Sequence, residues 1–223
     1  MNEQEFDVCK EIARYDPFME KALQVDNLTM EQYKAFMPKL FEVMKQRNEK
    51  SPVVMFEAVI EELGGLWTAS PELPFHGPWH HGIAPAVLIA ALKNNGHGFS
   101  DEDVMESLKR GLQVPAGACG FHGLCGAGSG PGIAASVVLK ANPFVDENRS
   151  SALEANANSL KLVAKLGGPR CCRLSSYASI TYGIGMLHKM GYDLPRDEMG
   201  GRCSVHQRNG QCHGTACPYY PRE

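Results

Sequence analysis

Apolar residues in this chain recur at helical spacing, and no segment shows the strict alternation of a half-buried strand. The first 66 residues are expected to form scaffold helices, such as 29–46, which opens with the capping-box pair Thr29 and Gln32. Further helices are predicted over residues 85–95, 100–111, 132–140, 148–166 and 174–190. The pattern therefore predicts an all-α fold, a multi-helix bundle with glycine-rich loops between helices.

A chain of 223 residues with 43% hydrophobic and 21% charged residues has the length and composition of one globular core. We expect a helical domain over residues 1–199 that carries a central cysteine and histidine site. Residues 200–223 form a Cys/His-rich tail with too few apolar residues to make a core unaided. The tail therefore needs a metal ion or a docking surface.

Charge and hydropathy exclude several functional classes. The longest apolar run, 83–92, is about half of the roughly 20 residues that cross a bilayer, so no membrane segment is expected. Residues 1–10 do not resemble a secretory signal, which predicts a cytoplasmic location. A net charge of −3 without a long basic run argues against nucleic-acid binding. In a reducing compartment the eight cysteines favour metal or thiol chemistry over disulfides.

The most unusual segment is 117–132, in which seven of sixteen residues are glycine and which contains Cys119, His122 and Cys125. The vicinal pair Cys171 and Cys172 follows a second glycine turn. Such turns suit thiolate ligands because the backbone bends round an ion and its amides reach the sulfur atoms. We therefore predict that these four cysteines bind an iron–sulfur cluster or zinc, although their spacing matches no common motif.

The vicinal pair also has the features of reactive thiols. It precedes a predicted helix and lies between Arg170 and Arg173, and both features favour the thiolate. Cys171 and Cys172, with His81, are the candidate catalytic residues. The alternative is that the cysteines are small buried apolar groups in a packed helix junction.

The tail contains a second set of metal ligands: Cys203, His206, Cys212 and Cys217. Three cysteines and one histidine complete a tetrahedral zinc site, with His213 as an alternative fourth ligand. A disordered tail, or a flexible arm that brings a thiol to the central site, is the alternative.

Three histidines, His76, His80 and His81, fall in the 71–85 segment, which its proline and glycine content predicts to be a loop. His76, His80 and His122 are candidate cofactor-binding residues. The sequence of 75–87 resembles that of 121–137, so two related loop–helix units could bring these histidines close to the central cysteines. The glycine run at 126–132 lacks the strand and spacing of a dinucleotide fingerprint.

These motifs resemble those of a prokaryotic family of unknown function, found largely in anaerobic bacteria and archaea and sometimes joined to methyltransferase domains. The matching pieces, which span about two thirds of the chain, are 76–82, 119–128, 167–172 and the Cys-Pro-Tyr sequence at 217–219. More distantly, the glycine–cysteine motif is similar to cysteine-rich helical redox proteins of anaerobes. The resemblance implies a redox or methyltransferase partner protein and carries no known activity.

Together these observations predict a metal-binding or thiol-redox protein of anaerobic metabolism, an oxidoreductase or another thiol- or metal-dependent enzyme. One alternative is a zinc-stabilised interaction module that presents Tyr219 and Tyr220 to a partner. Another is a thiol-dependent transferase or lyase, which requires a pocket beside a reactive cysteine.

Overall fold

A computed structural model describes residues 28–197 and 203–222. The helices predicted before residue 28 and the domain boundary predicted at residues 199–200 lie outside the described residues. Within those two ranges the chain forms eight α-helices and no strand, which confirms the all-α class. They are α1 (Met30–Lys45), α2 (Pro52–Leu66), α3 (Trp79–Asn94), α4 (Asp101–Leu112), α5 (Ala118–Phe121), α6 (Gly130–Val138), α7 (Asp146–Leu166) and α8 (Cys172–Lys189).

Helix α3 lies at the centre of the core. Every residue from Trp79 to Leu92 is buried, because α2, α4, α6 and α8 all pack against it. A helix that is apolar on all sides has no face to offer to water and is stable only when other helices surround it. The amino-terminal end of this central helix, with its histidines, is therefore inside the protein.

Helix α3 begins at Trp79, so the prediction that a loop continues to residue 85 is wrong. Pro85 lies inside the helix and has no N–H to donate to the carbonyl of His81. Gly111 of α4 packs closely against that carbonyl: a Cβ at Gly111 would lie 2.2 Å from the His81 oxygen. The turn before Pro85 is thus packed closely against α4.

Most other helix bounds lie within two residues of their predicted positions. The capping box of α1 is present, with Gln32 N–H donating to Thr29 Oγ1 over 3.1 Å. Helix α6 begins at Gly130, two residues early. Helix α8 begins at Cys172, and the side chain of Cys171 caps it by accepting a hydrogen bond from Leu174 N–H. The vicinal cysteines therefore belong to the helix start and not to the loop before it.

The described carboxyl-terminal residues, 203–222, contain two short 3-10 helices, His206–Arg208 and Gly214–Ala216. This segment packs on the helical body. Tyr219 lies against the ring of Tyr177 in α8 with centroids 5.2 Å apart, and Arg208 Nη2 donates to Leu73 O over 3.0 Å. The segment therefore docks on α8 and on the loop before α3. None of the described helices combines the length and apolarity needed to span a membrane.

Candidate thiol site

A cavity of about 340 Å³ lies between the start of α8, the carboxyl-terminal end of α7, the start of α3 and the loop that contains α5. Its walls include all four cysteines of the predicted central site, Cys119, Cys125, Cys171 and Cys172, together with His81 and Arg170. No aspartate or glutamate is among its lining residues. The cavity thus offers sulfur and nitrogen atoms and lacks the carboxylates that hard cations such as Mg²⁺ and Ca²⁺ need.

Cys125 lies in a turn that supplies hydrogen-bond donors to its sulfur. Gly128 N–H donates to Cys125 Sγ over 3.4 Å, and the Ser175 hydroxyl also bonds to the thiol. These donors stabilise a thiolate, but burial has the larger effect and raises the pKa of the Cys125 thiol. The amides of the glycine-rich turn are therefore positioned to bond a thiolate, but in the metal-free protein burial keeps the Cys125 thiol neutral.

At Cys171 and Cys172, as at Cys125, hydrogen-bond donors lower the thiol pKa and burial raises it. Leu174 N–H donates to Cys171 Sγ over 3.4 Å, and Gly77 N–H bonds to the sulfur of Cys172. Burial nevertheless raises the pKa of Cys171 to about 11 and raises that of Cys172 further. The amides at the helix start lower the pKa of Cys171 and the charge of Arg170 lowers that of Cys172, as expected, but burial outweighs these effects.

His81 is the one predicted histidine that lines the central cavity. Its Nδ1 lies 2.9 Å from Val114 O and must carry the proton, because a carbonyl only accepts. Burial lowers the pKa of His81 to about 4, so the ring is neutral and its Nε2 is unprotonated. A Cβ at Gly126 would lie 2.2 Å from His81 Cγ, so the imidazole packs directly on the turn beside Cys125. This Nδ1–H···O=C arrangement is typical of histidines that bind a metal through Nε2.

The other predicted histidines lie elsewhere. His76 is buried. Its Nδ1 accepts a long hydrogen bond, 3.5 Å, from Cys172 N–H, so its ring contacts the main chain of the vicinal cysteines. His80 lies beside Arg173 in a separate cavity of about 230 Å³. His122 is exposed at the end of α5 and is not among the residues that line the central cavity. The sequence grouped these residues by proximity along the chain, but α3 turns His80 and His81 to different sides.

The two loop–helix units do face each other. Gly130 at the start of α6 lies so close to α3 that its Cβ would be 3.0 Å from Ala84 Cβ. This contact brings the α3 start and the Cys125 turn together, as predicted for His81. Whether the two units arose by duplication stays a hypothesis.

Sequence analysis missed a polar network beside the site. Arg173 is buried and its Nη1 donates to both carboxylate oxygens of Glu57, each over 2.8 Å, while the Tyr177 hydroxyl donates to the same carboxylate. The network joins α2 to α8. The one signal in the sequence was Arg173, a charged residue at a helix position that helical periodicity predicts to be apolar. Nothing in the sequence marked Glu57 as its partner.

A second, much smaller cavity of about 20 Å³ lies on the other side of Cys171. Its lining includes Cys171 and all three cysteines of the predicted tail site, Cys203, Cys212 and Cys217, as well as His206 and His213. Cys171 thus lies in the walls of both cavities, whereas Cys172 lines only the larger one.

The seven cysteines in the described ranges are all free thiols. Within those ranges, no group of three or more histidine, cysteine, aspartate or glutamate side chains is arranged as a ready metal-binding set. The donor types around both cavities suit a soft cation, but the side chains as they stand are not closed on one point. Metal binding at either place therefore requires cysteine side chains to rotate.

The sequence profile of one protein family, described as a family of unknown function (DUF5714), matches residues 40–220 and so includes every cysteine of both cavities. No curated protein and no solved structure matches the chain. The anaerobic hosts and methyltransferase fusions implied by the resemblance stay predictions. Because the match covers far more than half of the sequence, the protein belongs to the DUF5714 family of unknown function.

Proposed function

We propose that the central cavity binds a thiolate-ligated iron–sulfur cluster and that the protein is a metal-dependent redox protein. The observation that carries the proposal is the convergence of cysteines separated by about fifty positions in the sequence on one cavity, together with His81. The ligands are Cys119, Cys125, Cys172 and Nε2 of His81. Their sulfur and imidazole donors are those that soft metals prefer.

The size of the cavity favours a cluster over a single ion. A tetrahedral zinc ion has its ligands at about 2.0 to 2.3 Å, so four closed ligands leave almost no space around it. A volume of about 340 Å³ is far larger than this and suits a polyatomic group. The Cys125 and Cys172 sulfurs already accept backbone N–H bonds, which are the contacts that stabilise cluster thiolates.

The raised thiol pKa values support metal ligation more than nucleophilic catalysis. A nucleophile needs its thiolate in the free protein, whereas a metal ion brings a positive charge that drives deprotonation as it binds. Burial raises the pKa of the Cys125 and Cys172 thiols, so both stay protonated when no metal ion is bound.

The test is to purify the protein without oxygen, reconstitute it with ferrous iron and sulfide, and measure bound iron, labile sulfide and the visible spectrum. We expect iron and sulfide in matching amounts and a broad visible band. Cys125→Ser should remove the band, whereas the matched variant Cys212→Ser, altered at an exposed thiol outside this cavity, should keep it. Wild-type protein that holds neither iron nor sulfide after reconstitution would contradict the proposal.

A thiol-dependent transferase or lyase is the second candidate, because the pocket that it requires exists beside four cysteines. A volume of about 340 Å³ is at the lower end of small-ligand pockets, which are typically about 300 to 1,000 Å³. If iron and sulfide are absent, mass spectrometry of protein treated with small electrophiles would test this candidate. Preferential modification of Cys125 or Cys172 over exposed Cys119 would support it. Modification of Cys119 alone would contradict it.

The interaction-module alternative receives less support. Tyr219 packs on Tyr177, and Tyr220 packs on His206 with ring centroids 4.7 Å apart. Both tyrosine rings therefore make contacts within the protein, and their exposure is intermediate. They do not form a surface that is turned towards a partner.

A further inference from the structure

The small cavity beside Cys171 brings together four cysteines from three separated stretches of the chain: Cys171, Cys203, Cys212 and Cys217. We propose that these four cysteines bind one zinc ion, which fastens residues 203–222 to the start of α8. The ligand set differs from the one predicted from the sequence, because Cys171 of the helical body replaces His206. None of these four cysteines is a proposed ligand of the iron–sulfur cluster, so the zinc site does not depend on that cluster.

The volume of this cavity selects a single ion. A space of about 20 Å³ is close to the minimum that holds one water molecule and excludes any polyatomic group. Four thiolates around one ion, at about 2.3 Å each, form a closed structural zinc site. Neither aspartate nor glutamate is among the residues that line the cavity, so a hard cation would find no carboxylate there.

The thiols lie close enough to interact electrostatically. Cys171 lies within electrostatic range of Cys203 and Cys217, and Cys203 lies within range of Cys217 and Cys212. A divalent cation placed among these sulfurs would stabilise their thiolates together.

The two histidines at this cavity already have other contacts. His213 Nε2 donates to Pro169 O over 2.6 Å, and its ring packs on Gly168 so closely that a Cβ there would lie 2.3 Å from His213 Cε1. His206 Nδ1 lies 3.1 Å from Cys203 O, and its ring packs edge-on against Tyr220. Ligation through His213 Nε2 would break its bond to Pro169 O, whereas the Nδ1 bond of His206 leaves its Nε2 able to ligate. The four cysteines complete a tetrahedral set without either ring, and His206→Gln tests that choice.

The segment also needs the added constraint. Of residues 203–222, the core includes Cys203, with Val205 and Tyr219 packed against it. So few apolar contacts give little free energy to order about twenty residues, each of which loses about 1 to 2 kcal/mol of backbone entropy on folding. A zinc ion shared between the segment and Cys171 would supply binding free energy directly to folding.

The experiment uses the full chain, purified anaerobically with a thiol reductant and supplied with Zn²⁺, and counts zinc atoms per chain after dialysis. We expect one tightly held zinc in wild type and its loss in Cys171→Ser, Cys203→Ser and Cys217→Ser. His206→Gln and Cys125→Ser should keep it. Substitution with Co²⁺ in wild type gives a second measurement that needs no variant, and we expect the spectrum of tetrahedral cobalt with four thiolates.

Each other outcome overturns the assignment. Wild type without a bound zinc, or mass spectrometry that finds a disulfide among these cysteines in the reduced protein, would contradict the site. A cobalt spectrum of three thiolates and one nitrogen, with zinc lost in His206→Gln and kept in Cys171→Ser, would contradict it too. That result would show that all four ligands come from the 203–222 segment, with His206 in place of Cys171. Loss of the visible iron–sulfur band in Cys125→Ser with one zinc retained separates the two sites, so either proposal can fail alone.

Discussion

The imidazole of His81 is held neutral where the central helix meets the Cys125 turn. Its pKa is lowered to about 4, mainly by burial, and the pKa of His76 is lowered to about 4 as well, by burial and then by the charge of Arg170. In an unfolded chain both would titrate near 6.5. Between these values the unfolded chain binds protons that the folded protein does not.

We therefore expect the contribution of these two histidines to the free energy of unfolding to be constant above pH 6.5. It should fall as the pH drops from 6.5 to about 4 and change no further below that. The contribution of His81 is on the order of 3 kcal/mol. Urea unfolding between pH 7.5 and 4 measures it. His81→Gln should reduce the slope by about one proton, and a slope equal to that of the wild type would contradict this account.

The contact between Gly126 and His81 gives a prediction at the same scale. In Gly126→Ala the new methyl group would lie 2.2 Å from His81 Cγ, so the ring must move away from Cys125. We expect a loss of about 1 to 3 kcal/mol in the free energy of unfolding, as for other overpacked sites. Gly120→Ala, where a Cβ meets no atom within 4 Å, is the control and should change stability little. Equal stability of the two variants would count against the close contact.

Helices α2 and α8 are joined by the ion pair between Glu57 and the buried guanidinium of Arg173. In Glu57→Gln the guanidinium keeps its charge and loses its anionic partner, so we expect unfolding to become easier by about 1 to 3 kcal/mol, a range reduced because the Glu57 side chain is 38% exposed. Glu106→Gln, which breaks the exposed pair with Arg110 in α4, should cost less than about 0.5 kcal/mol. Chemical denaturation at neutral pH compares the two.

Helices α3 and α4 make their closest approach at Gly111. A methyl group there would lie 2.2 Å from His81 O, so Gly111→Ala should separate the helices and destabilise the protein by about 1 to 3 kcal/mol. Gly64→Ala, inside α2 where a Cβ meets nothing within 4 Å, should instead stabilise it by about 0.4 to 1 kcal/mol. Thermal unfolding followed by circular dichroism would show the opposite signs, and a loss in both variants would contradict this prediction.

Local signals in the sequence were sufficient for most helices. The capping residues Thr29 and Ser100 fixed the starts of α1 and α4 because an N-cap bond is made within four residues. The start of α3 could not be predicted this way, since the turn before Pro85 packs against Gly111, which is distant in the sequence. The residue composition around Pro85 reflects local preferences only and carries no information about the packing of α4 on this turn.

For the molecule as a whole, the described cysteines differ in their access to solvent. Cys119 and Cys212 are exposed, Cys203 and Cys217 are buried, and the remaining three are intermediate. We expect a brief treatment of the metal-free native protein with iodoacetamide to modify Cys119 and Cys212 first among the described cysteines, and all eight cysteines of the chain to react after denaturation. Mass spectrometry of the peptides gives the order, and early modification of Cys203 or Cys217 would show that the 203–222 segment opens in solution.

The sequence identified the cysteines that line the cavities but not how they are divided between them. Glycine-rich turns and thiol density marked Cys119, Cys125 and the vicinal pair, and these do line one cavity. The thiol pKa values and the place of Cys171 beside the tail cysteines depend on burial and on docking of the segment. Neither is encoded in residue spacing, because both arise from contacts between distant parts of the chain.

Cys171 caps α8 and Cys172 is its first residue, so a single peptide unit separates side chains that belong to different cavities. Their Cα atoms are about 3.8 Å apart, as in any trans peptide. A change of conformation at this peptide unit would therefore alter the walls of both cavities at once.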